Sequence, residues 1–235
     1  MLEKSACLEM LFTEAEPVFS ARVALARAAG FQAVEFWLWS NKDLGALAAA
    51  VSASGLRVTG FVDEPMISLV DPANHATFLA ALPASIAVAQ RLGARFLFIQ
   101  AGKALATDRA SQSAALISCL RAAAEVLKGS GVTLLLEPVS DSAGGFLTLG
   151  AEGIKIVAQV DRPEVRLLFD LYHAAVAGET VRAAIGPDIA LVGHVHIADH
   201  PGRGAPGTGA LDIDGAVAWI KAQGYHGDFG YEYRL

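Results

Sequence analysis

Three carboxylates and one imidazole recur at regular intervals in the second half of the chain, each at or near the end of a short apolar segment. They are Glu137, Asp170, His196 and Glu232, separated by 33, 26 and 36 residues. Carboxylates that converge on one point repel each other unless they are protonated or bound to a cation. Oxygen and imidazole donors without a thiolate favour a divalent ion, so we expect Mn²⁺ or Mg²⁺, with Co²⁺ or Zn²⁺ as alternatives.

Each of these residues also has a purely structural explanation. An acidic residue at the end of a strand often caps the next helix or pairs with an arginine from a loop. That explanation would have to hold on four successive segments at once. We therefore favour a shared site.

The segments that carry these residues alternate with Ala-rich stretches of helical period, which is typical of parallel α/β folds. Eight strands are predicted, at residues 6–12, 33–39, 57–62, 95–101, 133–138, 166–171, 191–198 and 228–233. Seven helices are predicted between them, near residues 18–29, 42–53, 74–92, 108–128, 150–159, 179–185 and 212–223. Glycines in phase after five of these helices indicate left-handed C-caps, at Gly30, Gly55, Gly93, Gly129 and Gly224.

A repeat of about 29 residues per strand and helix matches a (β/α)8 TIM barrel, whose active sites lie at the C-terminal ends of the strands. We therefore predict a single TIM-barrel domain over residues 1–235. A doubly wound open sheet is the alternative, but segment 10–15 has no glycine where such a fold needs a phosphate loop. The last outer helix is expected to be absent, and a homo-oligomer interface, or else unusual packing of the N-terminal segment, is expected to cover that flank.

Composition indicates an acidic globular protein with small-molecule partners. Lys and Arg number 18 against 24 Asp and Glu, a net charge of −6, which argues against nucleic acid as a partner. The longest stretch without charged residues, 72–90, contains two prolines, so no membrane span is expected. Cys7 and Cys119 suit reduced, buried thiols, and no signal peptide is recognisable, so we predict a cytoplasmic protein.

Several motifs resemble the xylose isomerase-like TIM barrels. They are FDLYH at 169–173, HVHIAD at 194–199, PGR at 201–203, PGTG at 206–209 and GYEY at 230–233. Within that superfamily, segments 8–14 and 30–37 look most like hydroxypyruvate isomerase and its 2-oxo-tetronate isomerase relatives. The resemblance covers almost the whole chain and is more specific in the second half.

The resemblance implies roles for the four ligand-type residues. It implies that all four hold the metal ion: Glu137, Asp170, His196 and Glu232. It further implies that Glu137 and Glu232 are catalytic, facing each other across the substrate and moving the proton. Independent chemistry agrees, because aldose–ketose isomerisation removes a proton next to a carbonyl and creates an enediolate, whose charge a metal ion stabilises.

Four further residues are candidates to bind the substrate. The resemblance implies that His173 and Arg203 bind substrate oxygens. Glu35 and Lys103 end predicted strands two and four, where each could meet a substrate hydroxyl or carboxylate, and a surface ion pair is an equally good explanation. His194 lies on the same strand face as His196, and a buried core histidine is favoured there over the alternative of a ligand.

These features predict a metal-dependent isomerase that acts on a small hydroxy-keto acid of the hydroxypyruvate type. A ketose 3-epimerase with the same metal site is the main alternative, because histidine at the position of His196 is more typical of the epimerases in this superfamily. A phosphodiesterase of the apurinic-endonuclease type is a weaker alternative. It would need additional histidines on early strands, and predicted strands three and four end without any.

Overall fold

Eight parallel strands close into a barrel in the computed structural model, which describes residues 3–140 and 143–234. Each strand pairs with the next one along the chain, and β8 pairs with β1. The strands are β1 Lys4–Cys7, β2 Ala33–Leu38, β3 Arg57–Val62, β4 Phe96–Gln100, β5 Thr133–Glu137, β6 Val165–Asp170, β7 Val192–Ile197 and β8 Phe229–Tyr231. The predicted TIM barrel is confirmed.

The helices pack around the outside of this barrel. They are α1 Arg22–Ala28, α2 Leu44–Ser54, α3 His75–Leu92, α4 Arg109–Leu127, α5 Gly150–Val160, α6 Leu171–Val176, α7 Val181–Ile185 and α8 Ile213–Ala222. Among the residues described, no helix follows β8, in agreement with the predicted loss of the last outer helix. In the same part of the chain, no helix combines the length and the apolar character that crossing a membrane requires.

The structure contains the capping residues that the sequence predicts at the helix ends. The five predicted cap glycines all have φ between 66° and 95°, the region that side chains with a Cβ avoid. At the other end of α2, the carboxylate of Asp43 accepts the backbone N–H groups of Gly45 and Ala46, both at 2.9 Å. Such caps satisfy backbone groups that the helix itself leaves unpaired.

Two details differ from the sequence prediction. The first strand was expected at residues 6–12, but the chain turns after Cys7, whose carbonyl accepts the N–H groups of Met10 and Leu11. Leu8 and Leu11 are buried in that turn, so their apolar pattern imitates a strand. The short helix α6 was not predicted; it begins directly after Asp170, whose side chain caps it.

Apolar side chains form two separate clusters because successive strand residues point to opposite faces. Outward residues pack against the helices, for example Leu134 and Leu136 on β5. Inward residues fill the barrel with a smaller cluster, built on Phe98, Leu135 and Leu168. On top of this inner cluster, toward the C-terminal ends of the strands, the inward positions become polar.

Candidate metal centre

The four ligand-type residues come together at the C-terminal rim of the barrel. Glu137 ends β5, Asp170 ends β6, His196 lies on β7, and Glu232 follows β8. Strand register brings them level, because Asp170 is paired with His196, and His196 is paired with Gly230. One ligand atom from each of the four residues lies within 4.8 Å of the other three.

The spacing and chemistry of these atoms fit a divalent ion. Nδ1 of His196 lies 3.7 Å from Oε1 of Glu137 and 3.3 Å from Oε2 of Glu232. With bonds of about 2.0–2.3 Å, ligands on opposite sides of an ion are about 4–4.6 Å apart. Within the part of the chain that the structure describes, Asp170 Oδ2 and His196 Nδ1 are buried without a hydrogen bond. A bound ion would satisfy both atoms.

The two oxygens of Asp170 have different surroundings. Oδ1 accepts the backbone N–H groups of Tyr172 at 2.7 Å and His173 at 3.3 Å, and so caps α6. Oδ2 faces the cluster and lies 3.6 Å from Nη2 of Arg203. Burial raises the pKa of this carboxyl. One oxygen of Asp170 therefore caps a helix, which is the structural role expected of an acidic residue at a strand end. The other oxygen points into the candidate site.

Glu232 is held by three donors from distant parts of the chain. Its Oε1 accepts the indole N–H of Trp37 at 2.7 Å and the thiol of Cys7 at 3.6 Å, and its Oε2 accepts Nη2 of Arg203 at 2.6 Å. Burial disfavours the charged form, yet His196 and Arg203 hold the pKa of Glu232 at about 2. Glu232 is consequently ionised at neutral pH.

The imidazole of His196 responds to the surrounding negative charge. Burial alone would lower its pKa, but the carboxylates of Glu35 and Glu232 raise the pKa of His196 well above its usual value. A metal ion at Nδ1 would have to displace a proton, so occupancy should depend on pH.

Arg203 reaches the cluster from the loop between β7 and α8. The buried carboxylate of Asp199 organises this loop by accepting backbone N–H groups of His200 and Gly207, both at 2.8 Å, and of Leu211 at 3.0 Å. The Arg203 backbone itself adopts φ of 56°, a left-handed conformation that is uncommon outside glycine. The loop is therefore shaped to present this guanidinium to Glu232.

A cavity of about 280 Å³ opens above the cluster. His173 and Arg203 line it together with three of the four ligand-type residues, all but Asp170, so both are near the position that a substrate would occupy. The volume suits a metabolite smaller than a typical drug-sized ligand. Lys103 is exposed and lines a neighbouring cavity of about 290 Å³, which shares Val62, Met66 and Gln100 with the first.

Sequence reasoning did not single out the contacts of Trp37 and Cys7 with Glu232. The available signal in the sequence was the alternation of side chains along β2, which places Trp37 on the same face of the strand as Glu35. Glu35 itself lies directly beneath the cluster, within 3.1 Å of His196.

Comparisons with known proteins extend over almost the whole chain. The family described as xylose isomerase-like TIM barrel matches residues 23–234. The chain is 30% identical over 245 residues to the hydroxypyruvate isomerase of Escherichia coli K12, covering 100% of this chain and 94% of that protein. It is 31% identical over 242 residues to the 2-oxo-tetronate isomerase of Cupriavidus necator, covering 98% and 92%. A crystal structure of an AP endonuclease, family 2, from Brucella melitensis superposes with a TM-score of 0.92 at 28% identity, covering 99% of this chain and 93% of that one.

Proposed function

The chain belongs to the xylose isomerase-like TIM barrel family, and on that basis we propose that it is a divalent-metal-dependent isomerase of a small hydroxy-keto acid of the hydroxypyruvate type. The observation that carries the proposal is the convergence of three carboxylates and one histidine within 4.8 Å, beside a cavity of small-metabolite size. The names of the two curated relatives support the substrate class.

The ion would be held by Glu137, Asp170, His196 and Glu232. This donor set of three carboxylates and one imidazole suits Mn²⁺ or Mg²⁺, with Co²⁺ or Zn²⁺ as alternatives. The chemistry that a bound divalent ion supplies is polarisation of the substrate carbonyl and stabilisation of the negative charge on the enediolate.

The protein's own residues move the proton. In the proposed reaction, Glu137 or Glu232 removes a proton from the carbon next to the carbonyl; the electron pair of that C–H bond forms the C=C bond of the enediolate, and the carbonyl π pair moves onto the carbonyl oxygen. A proton then passes from the neighbouring hydroxyl oxygen to the former carbonyl oxygen, and the same carboxylate or the opposite one returns a proton to the former carbonyl carbon as the new carbonyl forms, which completes the isomerisation. Glu232 is ionised at neutral pH, as a proton acceptor has to be.

Arg203 and His173 are proposed to bind substrate oxygens. Arg203 pairs with Glu232 at 2.6 Å, so it would exchange this partner for a substrate oxygen when the substrate enters. That exchange would release one oxygen of Glu232 beside the reacting carbon. His173 is buried, and its Nε2 lies 3.8 Å from Asp170 Oδ2 at the edge of the cluster.

A ketose 3-epimerase is the second candidate, favoured by the histidine at position 196 in the ligand cluster. Epimerisation uses the same proton removal but returns the proton to the same carbon from the opposite face. It therefore needs two carboxylates on opposite sides of the substrate, the arrangement proposed for Glu137 and Glu232.

Nuclease activity is not part of the proposal, although the Brucella structure carries the name AP endonuclease. The segments that follow β3 and β4 begin with Asp63 and Ala101, and neither supplies a histidine for a multinuclear zinc site. A net charge of −6 also opposes an approach to DNA.

The decisive experiment measures the incorporation of deuterium from the solvent into the substrate. Metal-free protein is reconstituted with Mn²⁺ or Mg²⁺ and incubated in D₂O with hydroxypyruvate, 2-oxo-tetronates or ketoses. We expect deuterium at a carbon next to the carbonyl, and its position distinguishes an isomerase from a 3-epimerase. No deuterium in any substrate, with the fold intact, would contradict the proposal.

Matched variants locate the chemistry within the protein. Glu137→Gln and Glu232→Gln should each reduce turnover by about 10²–10⁴-fold, the typical contribution of a general base. Glu125→Gln makes the same substitution at an exposed site on α4, where Glu125 lies 3.7 Å from Arg162, and should retain full turnover. A double variant at Glu137 and Glu232 that remains active would show that the proton is moved by other groups.

Three further predictions from the sequence are retained as proposals. These are a single domain over residues 1–235, a homo-oligomer and a cytoplasmic location. Sedimentation of the purified protein would test the oligomeric state, and a monomer at low concentration would contradict it.

A further inference from the structure

Beneath the four-ligand cluster, one carboxylate lies between two histidines. Glu35 Oε2 accepts a hydrogen bond from Nε2 of His194 at 3.0 Å, and Glu35 Oε1 lies 3.1 Å from Nε2 of His196 in a short but bent contact. Glu35 is 1% exposed, although it belongs to the lining of the 280 Å³ cavity, and His194 is 0% exposed. The carboxylate thus connects an inner histidine with a histidine of the candidate metal centre.

Surrounding strands leave space for this arrangement and restrain it. Gly230 on β8 faces the three side chains, and a Cβ at that position would collide with Glu35 Oε1 and His194 Nε2. The ring of Phe98 stacks on His194 with planes 4° apart and meets His196 edge-on at 90°. Glu35 and both rings are therefore held by contacts from β4 and β8 as well as by each other.

The two nitrogens of His196 face different partners. Nδ1 points toward Glu137 and Glu232, and Nε2 points toward Glu35. A histidine that binds a metal ion through one nitrogen usually donates its other ring N–H to a carboxylate or carbonyl, which fixes the tautomer and the ring orientation. Glu35 is a carboxylate on the side of the ring where such an acceptor is needed.

A role in packing alone accounts poorly for this group. Burying a carboxylate is costly unless it is paired, and an apolar residue in the barrel interior would avoid that cost. Three inward residues nearby are apolar, at Phe98, Leu135 and Leu168, while the buried polar residues Ser5, Thr59 and Asp228 are hydrogen-bonded to one another elsewhere in the interior. The charged group is found at the level of His196, where orientation of a ligand would require it.

We propose that Glu35, anchored by His194, is a positioning residue that holds His196 in the orientation and tautomer that bind the metal ion through Nδ1. This inference rests on the proposed metal-dependent function. It gives Glu35 the role of orienting a metal ligand, His196, instead of binding the substrate. Loss of the carboxylate should weaken metal binding while the fold is retained.

Calorimetric titration of the metal-free protein with Mn²⁺ tests this role directly. Glu35→Gln should lower the affinity by about 10–100-fold, the usual effect of losing such a partner. Glu35→Ala should lower it further, because glutamine still offers an acceptor oxygen to His196. Asp63→Asn is the matched control, since Asp63 is another buried carboxyl, 2% exposed, that follows β3 and belongs neither to the four-ligand cluster nor to the group of Glu35, His194 and His196. Circular dichroism of each variant checks the fold.

A measurement on the unmodified protein complements the variants. In the Zn²⁺-loaded wild type, imidazole NMR should show His196 with its proton on Nε2 and slow exchange of that proton with solvent. In Glu35→Gln, the same proton should exchange faster and shift. A change in packing alone would not move the proton of one named nitrogen.

The outcomes separate this inference from the proposed function. If the wild type binds Mn²⁺ and catalyses exchange, but Glu35→Gln and Glu35→Ala bind Mn²⁺ as tightly as Asp63→Asn, the positioning role is wrong and the function stands. A His196 proton found on Nδ1 in the Zn²⁺-loaded wild type would also overturn it. If the wild type binds none of these ions, the proposed function and this inference are both wrong.

Discussion

The indole N–H of Trp37 donates a hydrogen bond of 2.7 Å to Oε1 of Glu232. Arg203 donates to the other oxygen of the same carboxylate at 2.6 Å. Two donors from different elements thus orient Glu232 from both sides. A proton-transfer group must be held close to its productive geometry, so the contact from Trp37 should influence turnover more than substrate binding.

Trp37→Phe removes the N–H donor and keeps an aromatic ring. A hydrogen bond to a charged group contributes about 1.5–3 kcal/mol, so we expect kcat to fall by about 10–100-fold with a small change in KM. Mn²⁺ should also quench less of the tryptophan fluorescence, because the indole closest to the candidate ion is absent. Steady-state kinetics and a fluorescence titration measure the two effects.

Trp39→Phe is the matched control for that experiment. Trp39 donates its indole N–H to Ser85 Oγ at 3.1 Å, away from the cluster. This variant should keep both kcat and the quenching by Mn²⁺. Equal behaviour of the two variants would show that the bond from Trp37 does not orient Glu232 for turnover.

Arg203→Gln removes the guanidinium that is proposed to bind the substrate. We expect KM to rise by at least about 10-fold, since an ionic hydrogen bond to a substrate oxygen contributes about 1.5–3 kcal/mol. Initial rates over a range of substrate concentrations measure this change. Arg182→Gln, at an exposed arginine beside Trp219, is the control and should leave KM unchanged. An unchanged KM in Arg203→Gln would exclude the substrate contact.

Asp63→Asn should stabilise the protein in a pH-dependent way. Burial raises the pKa of Asp63 to about 6, compared with about 3.9 for an unfolded aspartate. The folded state therefore holds this proton more tightly, and the associated stability is present below about pH 4 and is lost as the pH rises through 6. Asparagine is neutral throughout, so its advantage should approach about 3 kcal/mol at pH 8 and disappear toward pH 4.

Urea unfolding of the wild type and Asp63→Asn across this pH range measures the difference. Taking the difference between the two proteins cancels the titration of all other groups. If the gain in stability is the same at every pH, a raised pKa of Asp63 in the folded state is not its cause.

The alternating elements were predictable because they depend on local patterns. All seven predicted helices and all eight predicted strands are found. Errors occur where the same local sequence pattern is compatible with two different structures. Leu8 and Leu11 have the apolar character of a strand but are buried in a turn. Asp170 ends a strand, as predicted, but its cap also starts a helix that is too short to leave a periodic pattern.

The candidate site was predictable only in its outline. Position at strand ends was enough to expect Glu137, Asp170, His196 and Glu232 at one rim. The partners of these residues depend on register and on contacts between distant segments. Trp37 and Glu232 are 195 residues apart, and Glu35 and His194 are 159 residues apart. No local pattern in the sequence reports such pairs.

Because the apolar residues form an outer and an inner cluster, substitutions in the two clusters should affect different properties of the protein. The outer cluster between strands and helices contains most of the buried apolar side chains, so substitutions there act mainly on the free energy of unfolding. The inner cluster is small, and its Phe98 contacts both His194 and His196. Substitutions of Phe98 would instead change how the two histidines are held, and so would act on the candidate metal centre.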